Sequence, residues 1–81
     1  MGMLRVLSRS GDDKFTWNQA AVEVGDPEAV AAVKEAERIF EEQRTRGATA
    51  VRVTPGAPAE RIEKFDPDAR EILMVPRVIG G

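Results

Sequence analysis

Eighty-one residues carrying twelve basic and fourteen acidic side chains make one small domain of formal charge −2. A chain this short buries only about 60 % of the surface it exposes when unfolded, which argues against a deep substrate pocket. The absence of cysteine, histidine and tyrosine excludes Cys/His zinc sites, thiol chemistry, disulfides and any side chain that titrates near neutrality unaided.

The chain opens with MLRVLSR (residues 3–9), a short apolar-rich segment. SGDD (residues 10–13) follows with turn chemistry, and KFTW (residues 14–17) then alternates polar and apolar. That order predicts a first hairpin. Met1 and Gly2 precede it as a candidate cloning remnant; the position that myristoylation needs as Ser or Thr is Val6, so that motif fails. AAVEV (residues 20–24) reads either as a continuation of the second strand or as an extended lead into the next element.

Gly25, Asp26 and Pro27 are the clearest punctuation. Asp26 can cap orphan amides, and Pro27 suits the first helical position, where its missing N–H costs nothing. The helix is expected to run to about Arg46, with Gly47 as a left-handed stop and Arg44 and Arg46 against the negative end of the dipole. Ala29, Val33, Ala36 and Phe40 fall on one face, flanked by Ala32, Ile39 and Gln43. The opposite face holds Lys34, Glu35, Arg38, Glu41, Glu42 and Arg46, with Arg38 and Arg46 each four residues from Glu42. A single amphipathic helix of this kind needs a sheet to pack on.

ATAVRVT (residues 48–54) alternates around Val51 and Val53, PGAPA (residues 55–59) breaks the pattern, and ERIEKF (residues 60–65) resumes it around Ile62. This predicts a second hairpin with a proline-stiffened loop. Asp66, Pro67 and Asp68 form another turn, and EILMV (residues 71–75) is apolar without alternation. A strand apolar on both sides belongs in the middle of a sheet. Pro76 cannot donate a ladder bond, so residues 77–81 are expected to be a tail beyond a domain of residues 1–76. The expected core is Leu4, Val6, Leu7, Phe15, Trp17, Val22, Val33, Ile39, Phe40, Val51, Val53, Ile62, Phe65, Ile72 and Met74. Arg5, Arg52 and Arg61 are candidates for one solvated sheet face that reads an acidic partner.

No Gly-rich phosphate loop, Ser/His/Asp set or metal-ligand spacing is visible. The expectation is a protein that is not an enzyme, with no catalytic residue, no metal and no bound cofactor. No basic run supports nucleic-acid binding, and no apolar run reaches membrane-spanning length or makes a signal peptide. Neither nucleic acid nor membrane is therefore an expected partner, and the expected location is the cytoplasm.

The order hairpin, long helix, hairpin, central strand, followed by Gly80 and Gly81, resembles ubiquitin and its relatives, the α+β β-grasp fold, with one long helix on a mixed sheet. The tail Val75, Pro76, Arg77, Val78, Ile79, Gly80, Gly81 also resembles the end of the small subunit of molybdopterin synthase, a sulfur carrier. It departs from that pattern in placing Arg77 where a second proline is common. Prokaryotic ubiquitin-like proteins with their own activating enzymes fit the tail equally well.

The resemblance implies a modifier or carrier whose Gly81 carboxylate is adenylated by an activating enzyme and passed to a target. ATP would be used by that enzyme and not held by this chain. A conjugating enzyme, an isopeptidase or a sulfurtransferase are the further partners it implies. Gly80 and Gly81 would be the adenylated terminus, and Arg77, Val78 and Ile79 the groups a partner's groove grips. Two alternatives stand beside it: a sulfur carrier forming a thiocarboxylate for molybdopterin or thiamin biosynthesis, and a β-grasp adaptor whose tail does nothing. The chemistry of glycine fits the first two, because a terminus threaded through a narrow channel to a phosphate needs no side chain and unrestricted φ.

Overall fold

Asp26 caps the long helix as its sequence predicts. In the computed structural model, which describes residues 1–8 and 11–77, its carboxylate accepts from the Glu28 amide at 3.2 Å. With Pro27 in the first turn, helix α2 spans Pro27–Thr45. It ends in a Schellman motif: the Gly47 amide donates to the Arg44 carbonyl at 2.9 Å and the Ala48 amide to the Gln43 carbonyl at 3.0 Å. That closure requires a left-handed residue, and Gly47 sits at φ +94°.

Five strands form the sheet on which α2 lies: β1 (Gly2–Ser8), β2 (Gly11–Trp17), β3 (Thr49–Val53), β4 (Glu60–Ile62) and β5 (Glu71–Val75). Their spatial order is β2-β1-β5-β3-β4. β5 pairs parallel with β1 and antiparallel with β3, so the apolar run EILMV is the central strand. A mixed five-stranded sheet crossed by one long helix is a β-grasp-like arrangement of the α+β class.

Register decides which side chains meet the helix. Leu4 lies beside Ile72, Val6 beside Met74, and Ala50 beside Met74; Leu4, Ile72, Met74 and Ala50 are buried together with Trp17, Ala36 and Phe40. Small residues line this contact, Ala36 from the helix, Ala50 from β3 and Ala48 just before it, so helix and sheet backbones approach closely. Leu7, Val51 and Val53, expected in the core, have the opposite parity and face away from α2. Period 2 within a strand cannot say which of its faces the helix covers; only register can.

Three further expectations are corrected. Residues 20–24 are not extended: a short helix, α1 (Gln19–Glu23), starts where the Asn18 side chain accepts from the Ala21 amide at 3.0 Å, and packs on α2. Asn18 is a good cap, and it was hidden behind the alternating residues before it. The first strand begins at Gly2, one residue before the expected Met3. That glycine is buried in β1 opposite Trp17, and a Cβ there would stand 2.2 Å from the indole Cε2. Arg52 does not share a face with Arg5 and Arg61. Its register partners are Ile72 and Glu60, whereas Arg5 and Arg61 align with Leu73 and Val51.

Trp17 closes one end of the core. Its Nε1–H donates to the Pro67 carbonyl at 3.0 Å, and its ring meets Phe65 at 5.5 Å, which in turn meets Phe40 edge-on at 5.7 Å. Gln19 also donates to the Pro67 and Ala69 carbonyls. The β4-to-β5 connection is thus fastened to the first hairpin, and the start of β5 is fixed with it.

Candidate functional site

The sequence directs attention to the end of β5. Val75, the last residue of the strand, lies opposite Thr49 of β3 and is 37 % exposed. Pro76 has no N–H and ends the ladder. Val78, Ile79, Gly80 and Gly81 lie outside the described residues, so of the five tail positions read from sequence Arg77 alone has a described place.

Arg77 is next to the end of α2. The register that sets Val75 opposite Thr49 puts Arg77 opposite Gly47 when carried two residues further. A Cβ built on Gly47 would lie 3.2 Å from Cδ, 3.6 Å from Cβ and 3.9 Å from Cγ of Arg77. The aliphatic stem of Arg77 therefore runs across the bare Cα of the helix stop.

Beside this contact lies an open cleft of about 440 Å³, lined among others by Arg44, Gly47, Thr49, Arg61 and Glu63. Arg44 donates to the Glu63 carbonyl, which ties the last turn of α2 to the end of β4. The cleft is donor-rich, with two guanidinium groups, but Glu63 and the helix C-terminus oppose a simple anion site. Among the described residues no cluster of three or more His, Cys, Asp or Glu is placed to hold a metal ion. No described helix is long and apolar enough to cross a membrane.

Elsewhere the charges form solvent-exposed pairs. Arg38 bonds Glu35 at 2.6 Å and Glu42 at 3.0 Å, and Arg46 reaches Glu42 at 3.4 Å, so both expected helix pairs form and a third joins them. The hydrogen bond from Arg38 holds the Glu35 carboxyl below the usual carboxylate range. On the sheet, Arg5 bonds Asp12 at 2.7 Å, and that hydrogen bond lowers the Asp12 carboxyl in the same way. Arg52 is held by Asp66 at 2.7 Å and by Glu60.

The role of Gly47 as a seat for Arg77 was not legible in the sequence. A glycine after a helix announces a stop, but which distant side chain lies over it depends on how β5 is threaded. The only available clue was the short spacing from Gly47 to one strand and from Arg77 to another. No protein-family model, curated protein or solved structure matches the chain.

Proposed function

We propose that the chain is a ubiquitin-like carrier. Its Gly81 carboxylate attacks the α-phosphorus of ATP in a partner enzyme, pyrophosphate leaves, and the acyl adenylate then passes the glycyl group to a target nucleophile with release of AMP. The observation that supports this reading is the position of β5. The strand that leads to Gly80 and Gly81 is central and hydrogen-bonded on both sides. A partner drawing the tail into a channel would pull on the best-anchored strand of the sheet, so the load would not unzip an edge.

A sulfur carrier shares the first step and differs in the acceptor, a sulfur donor that yields a thiocarboxylate. A different class of reading, a binding module that leaves its tail unused, is favoured by the sheet face turned from α2, where Val51, Val53 and Leu73 are half-buried and Val75 is exposed.

The test is denaturing mass spectrometry of protein tagged ahead of the exposed Met1 and recovered from its native host, beside a variant lacking Gly80 and Gly81. Intact mass first locates the C-terminus at Gly81. Conjugation gives heavier species that resist thiol reductant and vanish in the variant. Replacement of a terminal oxygen by sulfur gives the sulfur carrier. An unmodified acid in every sample leaves the binding module.

A further inference from the structure

Resting on the carrier reading, we propose that Gly47 and Arg77 form a clamp that fixes the root of the tail to the C-terminal end of α2, making Arg77 a positioning residue. Three observations carry it. First, β3 and β5 are antiparallel with Thr49 opposite Val75, so the chain directions already bring residue 77 toward residue 47. Second, Pro76 interrupts the hydrogen bonds at the intervening position, and contact resumes through three consecutive side-chain carbons of Arg77 lying within 3.2 to 3.9 Å of where a Gly47 Cβ would be. Third, Gly47 is itself held by the Schellman bonds, so the seat is rigid.

The clamp moves the tether point. Counted from Val75, six residues lead to Gly81, which at about 3.3–3.6 Å per residue reach roughly 20 Å. Counted from Arg77, four residues reach roughly 13–14 Å. The volume the carboxylate can explore falls about threefold, and its effective concentration near a partner seated at this end of the domain rises in proportion.

The chain has no cysteine, so a single nitroxide placed at exposed Thr45 through Thr45→Cys reports how near the tail amides stay to the helix end. The clamp predicts strong relaxation enhancement at residues 78–81. In Arg77→Ala that enhancement weakens, because the tail then hangs from Val75 with a reach of roughly 20 Å, and the Gly47 amide resonance shifts, while the melting temperature holds. Arg77→Met keeps the stem without the charge and restores both signals. Enhancement and Gly47 shift unchanged in Arg77→Ala overturn the proposal. Failure of Met to restore them overturns it too, because the charge and not the stem would then hold the tail. A clamped tail that is never conjugated or thiolated in the host sinks the carrier reading alone, and a modified tail that is loose in the wild type sinks the clamp alone.

Discussion

Two glycines hold positions where any side chain is strained, each for a different reason. At Gly2 the obstacle is space: a Cβ would enter the indole of Trp17 at 2.2 Å. Gly2→Ala must push the ring away from Phe65 and lengthen the Trp17 bond to Pro67, and overpacking of this kind costs about 1–3 kcal/mol. A lowered urea midpoint with an altered tryptophan emission is the expected result. At Gly47 the obstacle is first the backbone, since φ +94° is a region L-residues enter at a cost of about 1–2 kcal/mol. Arg77→Gly beside Gly47→Ala separates the two costs: removing the stem relieves the 3.2 Å contact and leaves the backbone penalty.

Asp12 supplies the pH dependence that belongs to this scale. Its carboxyl is held below the ordinary value chiefly by the hydrogen bond from Arg5, with the charges of Arg5 and Lys14 helping. A folded-state pKa below the unfolded value contributes stability that is present above pH ~3.9 and lost as pH falls through the folded value. The pair is solvent-accessible, so the effect on stability is small. The titration midpoint is the clearer readout: followed by carboxyl carbon NMR, Asp12 is expected to move up in Arg5→Ala. An unmoved midpoint would show that the bond does not persist in solution.

At the scale of elements, the helix is the best-encoded part of the chain. The cap at Asp26, Pro27, the alanine-rich stripe and the stop at Gly47 all act on neighbours within a few residues, and the observed Pro27–Thr45 follows from them. Asp26→Ala removes the acceptor of the Glu28 amide and is expected to cost about 1 kcal/mol in a thermal melt. Arg38→Ala, which breaks two exposed ion pairs, is expected to leave the melting temperature nearly unchanged, because solvent screens them. The strands were less legible. The residues after Ile62, expected to continue the strand to Phe65, leave the sheet and lead into the turn on which Asp66 accepts from Arg52 and the Asp68 amide. The Asp66-Pro67-Asp68 turn was legible, but weak alternation in ERIEKF gave no hint that the strand stops at Ile62, because the segment after it is held by contacts far away in sequence, from Trp17 and Gln19.

For the whole molecule, β5 between β1 and β3 joins the two halves of the chain. Glu71–Val75 is apolar on both faces because Ile72 and Met74 meet the helix while Leu73 lies between Arg5 and Val51 on the other side. Removing Gly80 and Gly81 is expected to leave the melting temperature unchanged, since the described core ends at Met74; a clear drop would place the tail in the core. By itself the sequence determined the capped helix, the turn-separated strands, the central strand and the diglycine that follows it, because each is written in short-range periodicity and in residues with restricted or unusual backbone freedom. Only the tertiary structure decided that Gly2 lies under Trp17, that Val51 and Val53 turn from the core, that Arg52 leaves Arg5, and that Arg77 rests on Gly47. Those are matters of register between separate strands, and a one-residue slip that local patterning barely constrains would reverse every one of them.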